Sequence, residues 1–201
     1  MLTTEIVLGT HNQKKLGELQ LLFARTPVKV SSLSDFDDPI EVVEDGDSFR
    51  SNAEKKASEQ AIHLDRWVVG EDSGLCAAAL KGAPGIYSAR FAGESASDDD
   101  NNAKLILELD GKKDRSAHYV SHIALSNPDG EIVLNVEDKC FGRIVDERRG
   151  TSGFGYDPFF EVPEYGLTMA QLGNAVKSII SHRAKAMRKF LKKFLTRKAT
   201  A

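Results

Sequence analysis

Hydrophobic residues in the first half of the chain follow two spacings, contiguous runs and helical repeats. A run such as Ile6–Leu8 is typical of a short buried strand, whereas Leu16, Leu19 and Phe23 share one helix face. The pattern predicts strands over Thr4–Gly9, Val28–Leu33 and Trp67–Val69, and helices over about Gln13–Arg25 and Ser48–Leu64. We expect Asp47 to cap the second helix, and the third strand to end at Gly70–Gly74.

The second half is predicted to hold a long hairpin between two helices. Asp98–Asp100 open a helix, and because acids suit a helix N-terminus, this acidic run needs no metal. Long strands over 116–126 and 131–145 are joined by a turn at 127–130. A last helix spans about Ser178–Thr196. Together these elements predict an α/β protein with a mixed sheet, in a single domain over 1–201 because no Pro/Gly-rich linker divides it.

Composition agrees with a globular chain. The 201 residues are 41% hydrophobic and 28% charged, values that exclude a disordered, fibrous or membrane-spanning chain. The first ten residues lack a signal-peptide pattern, and Cys76 and Cys140 belong to no zinc-binding motif. We therefore expect a cytoplasmic protein with reduced thiols.

Charge is distributed unevenly along the chain. The formal net charge is -3, yet Tyr165–Ala201 contains nine Lys or Arg and no Asp or Glu. Such a basic segment indicates either a solvated helix face or contact with a polyanion, including nucleic acid.

Two segments of the first half carry side chains suited to phosphate and metal. Gly9–Lys15 joins a strand to a helix, where free N–H groups bind anions, although Thr10 or Asn12 could simply cap the helix. Glu71 and Asp72 follow a buried strand, and ligands bind at that end of the strands in an α/β sheet. Carboxylates there suit Mg²⁺, and pairing with Lys or Arg is the structural alternative.

Two further segments could bind a flat ring. The glycines of Gly153–Pro158 let the backbone approach a ligand, and Phe154 could stack on it; a tight turn that buries Phe154 is the alternative. Lys177 and Ser181–Arg183 bring donors for carbonyl or phosphate oxygens.

Taken in order, six motifs resemble the inosine/xanthosine triphosphate pyrophosphatase family. They are T-x-N-x-x-K-x-x-E (Thr10 to Glu18), E-x-G-x-S-F (Glu44 to Phe49), DSGL (Asp72 to Leu75), GAPGIYSAR (Gly82 to Arg90), GFGYDP (Gly153 to Pro158) and SHR (Ser181 to Arg183). The resemblance implies an elongated mixed sheet flanked by helices, in two lobes with a central cleft. It also implies hydrolysis of ITP, dITP and XTP to the monophosphate and pyrophosphate, with Mg²⁺, by a homodimer.

The resemblance assigns roles position by position. For the triphosphate it implies a binding segment made of Thr10, His11, Asn12, Gln13, Lys14 and Lys15. For the reaction it implies Glu44 and Asp72 as metal-binding acids, with Glu71 of second rank, Asp72 as general base and Ser73 as a substrate contact. For the base it implies Phe154 as the stacking ring, Gly155, Tyr156 and Asp157 as the lining of the pocket, Lys177 as a phosphate or substrate contact, and His182 and Arg183 as the residues that bind the purine edge. Donors at that edge favour a 6-oxo group over the 6-amino group of adenine.

Two other functions fit parts of the sequence. A Maf-like pyrophosphatase that acts on pyrimidine or modified nucleotides would share the general fold, but GFGYDP and SHR argue against it. A nucleic-acid-binding module would use the basic C-terminal segment, yet the chain has no homeodomain, zinc-finger or RNA-recognition signature. We therefore expect a small-molecule nucleotide as partner, and neither nucleic acid nor a membrane.

Overall fold

The fold is described from a computed structural model that covers residues 5–24 and 26–200, without the side chains of 198–200. Its strands are β1 (Glu5–Leu8), β2 (Lys29–Ser32), β3 (Val68–Ala77), β4 (Ser116–Ser126), β5 (Ile132–Ile144), β6 (Phe160–Val162) and β7 (Leu167–Thr168). Its α-helices are α1 (Gln13–Phe23), α2 (Phe49–Leu64), α3 (Asp98–Leu109), α4 (Met169–Ile180) and α5 (His182–Thr200). Short 3-10 turns cover Leu33–Asp35, Ala78–Leu80 and Gly85–Arg90.

The strands form a mixed sheet in the order β2-β1-β3-β4-β5-β6-β7. β1 pairs parallel with β2 and with β3, and the helices α1 and α2 supply the crossovers that parallel neighbours need. β6 pairs antiparallel with β5 and with β7. The predicted mixed sheet flanked by helices is therefore confirmed.

Two compact units share the chain, and each has its own hydrophobic core. Unit 1 comprises the described parts of Met1–Asp72, Ser121–Asp138 and Arg183–Ala201, and unit 2 comprises Ser73–Val120 and Lys139–His182. In unit 1, Phe190 and Phe194 of α5 pack with Leu8 and Leu19. In unit 2, Phe160 packs with Tyr119, Leu105 and Ile144. The expectation of one domain over the whole chain stays a prediction.

The prediction that the third strand ends at Gly70 was wrong. β3 continues to Ala77, so Glu71 and Asp72 lie inside a buried strand and not in a loop after it. The reason is the close approach of α2: any side chain on Gly70 would collide with Ala53 and Ala57 of that helix. Here glycine marks a helix packed directly against a strand, and not the end of the strand.

Local details also differ from expectation. Ser48, and not Asp47, caps α2: its hydroxyl accepts a hydrogen bond from the Ser51 amide at 3.1 Å. The predicted last helix is two helices, because Ser181 adopts an extended conformation that ends α4 before α5 begins at His182. β6, β7 and the first part of α4 were not predicted, and the predicted helix end at Arg25 lies outside the described residues.

Candidate functional site

The segment before α1 is a capped helix start that remains open to solvent. Asn12 is the N-cap, and its Oδ1 accepts hydrogen bonds from the amides of Lys14 at 3.0 Å and Lys15 at 3.1 Å. The Thr10 hydroxyl accepts from the Asn12 amide at 3.2 Å. The first turn holds no acid, so nothing within it offsets the positive end of the helix dipole. Capping is therefore observed, and it leaves an exposed start suited to an anion.

The other members of the predicted segment are accessible. His11, Gln13 and Lys14 are exposed, and the His11 ring contacts the Ile40 carbonyl at 3.4 Å. Lys15 is half-buried and points its ammonium at Glu71, with 3.0 Å between Nζ and Oε2. The structure thus brings Lys15 to the strand that carries the predicted acids.

Glu71 is held by basic and polar partners on both of its oxygens. Oε1 accepts from Ser121 Oγ at 2.9 Å and from Arg183 Nε at 3.2 Å, and Oε2 faces Lys15. Burial raises the pKa of Glu71, but the positive charges of Arg183, Lys15 and Lys56 outweigh burial, and the pKa lies well below its usual range. A carboxylate held in this way anchors its neighbours, and its second-rank metal role stays a prediction.

Asp72 and Glu44 face one buried cation, the ammonium of Lys56. Its Nζ lies 3.1 Å from Glu44 Oε1 and 3.4 Å from Asp72 Oδ1, and Asn52 Nδ2 donates to Asp72 Oδ2 at 3.1 Å. Burial raises the pKa of Asp72; Lys56 and Lys15 lower it, Glu44 and Glu71 raise it, and the net shift is upward. We call Glu44, Lys56, Glu71 and Asp72 the carboxylate–lysine cluster.

Asn52 and Lys56 follow the E-x-G-x-S-F segment in the sequence, but neither was predicted to be a site residue. The available signal was their spacing, since residues four apart lie on the same helix face and both precede the buried strand in the chain. Burial lowers the pKa of Lys56, but Asp72, Glu44 and Glu71 raise it more, so the ammonium stays charged.

The donor set fits a hard cation such as Mg²⁺. Across residues 5–24 and 26–200, no group of three or more His, Cys, Asp or Glu side chains is placed to hold a metal. Mg²⁺, however, commonly takes one or two carboxylates and completes its shell with water and substrate phosphates. Glu44 and Asp72 already face one common cation, so these two carboxylates meet that requirement.

A second group of side chains surrounds Phe154 in unit 2. Lys177 Nζ lies 2.6 Å from Asp157 Oδ2 and 4.2 Å from the centre of the Phe154 ring. The Phe154 amide donates to the same Asp157 oxygen at 3.0 Å, and the Tyr119 hydroxyl donates to Oδ1 at 3.4 Å. We call Tyr119, Phe154, Asp157 and Lys177 the aromatic cluster. Asp157 was predicted to accept from a ligand ring, and here it accepts from these three neighbours.

Other residues predicted to line the base pocket also contact neighbouring residues of the protein. Gly155 has a φ of 59°, which suits the turn, and the Tyr156 hydroxyl donates to the Ser88 carbonyl at 2.8 Å. The His182 ring stacks on Tyr119, with 4.6 Å between ring centres. Ser73 lies half-buried in β3 directly after Asp72.

Arg183 lies in a buried network of ion pairs. Its buried guanidinium bonds to Glu71 and to Glu18, both in unit 1. It thus belongs to the network around the carboxylate–lysine cluster, whereas its neighbour His182 packs in unit 2. The purine-edge roles of both residues stay predictions.

Fold and site together define an α/β protein with paired acids, buried lysines and an open helix start, a combination suited to phosphorylated ligands. The chain belongs to the Ham1 family, whose match covers residues 6–193. It is 50% identical over 193 residues to a dITP/XTP pyrophosphatase of Rhodopirellula baltica, covering 95% of this chain and 93% of the relative.

Two solved structures of Ham1 proteins have the same fold as this chain. A HAM1 protein from Coxiella burnetii is 37% identical, with a TM-score of 0.88 over 98% of this chain and 100% of that one. The Staphylococcus aureus Ham1 protein is 40% identical, with a TM-score of 0.85 over 96% and 99% of the two chains. Within the part of the chain that is described, no helix has the length and apolar character needed to span a membrane.

Proposed function

We propose that this protein hydrolyses non-standard purine nucleoside triphosphates, ITP, dITP and XTP, to the nucleoside monophosphate and pyrophosphate. The observation that carries the proposal is the convergence of Glu44 and Asp72 on the buried Lys56 ammonium. Relatives at 45–50% identity named dITP/XTP pyrophosphatase support the same chemistry.

In this proposal Asp72 is the general base. Its carboxylate orients a water molecule and takes its proton as the water oxygen attacks the α-phosphorus. The bond from that phosphorus to the oxygen bridging to the β-phosphate breaks, and pyrophosphate leaves. Burial has raised the pKa of Asp72, and a base whose pKa is closer to neutral removes a proton more effectively.

Lys15 and the start of α1 neutralise the charge of the departing pyrophosphate. The ammonium of Lys15 and the positive end of the α1 dipole, which no acid in the first turn offsets, are charges of the kind that stabilise developing phosphate charge. Glu71 acts through Lys15 by holding its ammonium at 3.0 Å.

Mg²⁺ is the proposed cofactor, held by Glu44 and Asp72. When bound, it neutralises phosphate charge and lowers the pKa of nearby water. The proposal is supported by the position of the Lys56 ammonium, a cation that both carboxylates already face.

The aromatic cluster is proposed to select the base. Phe154 stacks on the purine, Lys177 is a substrate contact, and His182 and Arg183 keep their predicted role as donors that favour a 6-oxo group, because an amino group would face another donor. A site that leaves polar groups unpaired can discriminate strongly between close analogues.

The experiment that tests this function is pyrophosphate release with Mg²⁺ from dITP, XTP, dATP and dGTP, with dTTP and UTP as competitors. We expect at least about 100-fold higher kcat/KM for dITP or XTP than for dATP. Equal rates on all purine nucleotides would contradict the proposed specificity. Orthophosphate as the only product would contradict the proposed release of pyrophosphate. Strong competition by dTTP or UTP would favour the Maf-like alternative.

Assembly and location belong to the same proposal. We propose a homodimer in the cytoplasm, as the family resemblance implies, and light scattering of the purified chain tests the dimer directly.

A further inference from the structure

Asn52 makes two hydrogen bonds that join the base carboxylate to the segment bearing Glu44. Its Nδ2 donates to Asp72 Oδ2 at 3.1 Å, and its Oδ1 accepts from the Gly46 amide at 2.8 Å. The side chain is fully buried, with 0% exposure. A buried amide with both ends bonded has a single orientation available to it.

The hydrogen bond to Gly46 fixes which end of the Asn52 amide faces Asp72. The Gly46 amide can only donate, so the Asn52 oxygen must face it and the NH₂ group must face Asp72. Asp72 therefore keeps Oδ2 toward Asn52 and Oδ1 toward Lys56, which sets the plane of its carboxylate. The orientation of Asp72 depends on a residue that lies 20 positions earlier in the chain.

The same amide locates the segment that carries Glu44. Gly46 lies two residues after Glu44, and any side chain on it would collide with Ser51 and with the amide oxygen of Asn52. The close contact between the Gly46 backbone and the side-chain amide of Asn52 thus explains the glycine of the E-x-G-x-S-F motif. It also explains how Glu44, which lies outside any helix or strand, is held near α2.

The surroundings of Asn52 are closely packed. The helix that carries it packs directly on β3, because Ala53 and Ala57 are fully buried and leave no room for a side chain at Gly70. Since Asp72 is only two residues from Gly70 in the same strand, a shift of Asn52 relative to Asp72 would require the helix to move off the strand.

We propose that Asn52 is a positioning residue for the hydrolysis, which orients the Asp72 carboxylate and couples it to the Glu44 segment. The inference rests on the proposed function. Groups that hold a metal-binding or basic carboxylate typically change activity 10–100-fold when they are removed, and a displacement of about 1 Å at a reacting group can cost about 100-fold. Lys15 and the open helix start are untouched by Asn52, so substrate binding should change little.

The test compares two isosteric changes on α2, Asn52→Asp and Gln60→Glu. Gln60 is an equally buried amide, 2% exposed, that donates to the Ile40 carbonyl but does not contact Asp72. Each variant replaces one buried NH₂ donor by an oxygen and adds one carboxyl group, so Gln60→Glu controls for a buried carboxyl group on α2 that does not contact Asp72; thermal unfolding of both variants measures their stability. Asn52→Asp keeps an oxygen for the Gly46 amide, removes the bond to Asp72 and adds a carboxyl group that faces the Asp72 carboxylate.

We expect Asn52→Asp to lower kcat for dITP about 10–100-fold with KM changed less than threefold, while Gln60→Glu keeps kcat within about threefold. Asn52→Ala, which removes both bonds without adding a charge, should also lower kcat about 10–100-fold, and wild-type kcat in this variant would overturn the positioning role. Wild-type kcat in Asn52→Asp, or an equal loss in Gln60→Glu, would overturn the positioning role. If the wild-type protein hydrolysed no nucleoside triphosphate, the result would contradict the proposed function itself and not the role of Asn52.

Discussion

The two units each contain a buried lysine–aspartate pair, and the two pairs differ in how completely the carboxylate is neutralised. In unit 2, Lys177 and Asp157 lie 2.6 Å apart, and the same aspartate oxygen also accepts from the Phe154 amide. In unit 1, Lys56 lies 3.4 Å from Asp72 and shares its charge with Glu44.

This difference separates a reactive group from a structural one. Burial raises the pKa of Asp72, Lys56 and Lys15 only partly offset it, and Glu44 and Glu71 raise it further, so its carboxylate form is suited to accept a proton. Asp157 has a matched cation, and its bonds hold the Phe154 turn in place. The same two side-chain types therefore supply a base in one unit and a scaffold for a ring in the other.

Among the tests of this contrast, Asp72→Asn is expected to have the largest effect, a loss of kcat. Removing the base should lower kcat about 1,000-fold or more, since general bases contribute about 100- to 10,000-fold. Because the pKa of Asp72 is raised in the folded protein, its charge opposes folding at neutral pH. Metal-free Asp72→Asn at pH 7 should therefore melt at or above the wild-type temperature in thermal unfolding. A melting temperature several degrees lower would show that the Asp72 charge stabilises the fold.

The next effect is expected from Asp157→Asn, which removes the matched carboxylate in unit 2. The ammonium of Lys177 then stays buried without its counter-ion, and breaking such a pair costs about 3 kcal/mol of the free energy of unfolding. Chemical denaturation measures this loss, and kcat of the folded fraction should stay within about tenfold of wild type. If Asp157→Asn abolished turnover without loss of stability, the two pairs would have the same role.

The smallest effect is expected from Glu71→Gln, which tests whether Glu71 anchors the cluster. Glutamine keeps a bond to Ser121 but loses the charge that faces Lys15 and Arg183, a loss of about 2 kcal/mol. Because the folded pKa of Glu71 is held below its usual range, the stabilisation is complete above about pH 5. It declines as the pH falls below the ordinary glutamate pKa of about 4.3.

Denaturation of both proteins between pH 3 and 8 measures this difference. A gap in stability that grew toward acid pH would contradict the anchoring role. Loss of Mg²⁺ affinity with stability unchanged would favour the predicted second-rank metal role of Glu71 over the anchoring role.

Much of the fold could be predicted because its signals are local. Contiguous apolar residues and helical repeats located β1, α1, α2 and the long hairpin of β4 and β5, within a few residues of their observed bounds. β6 and β7 have three and two residues, too few for an alternating pattern to stand out. Gly70 was misinterpreted because a glycine that marks a turn and one that admits a packed helix look the same in sequence.

The sequence by itself determined which chemistry is present: the ordered motifs, the adjacent acids Glu71 and Asp72, and membership of a family. Only the tertiary structure decided which of these acids is neutralised. Glu71 meets Arg183 from 112 residues away, and Asp72 meets Lys56 and Asn52 from α2. Charge and hydrogen-bonding capacity are properties of each residue, whereas a pKa depends on burial and on the charges brought nearby by folding.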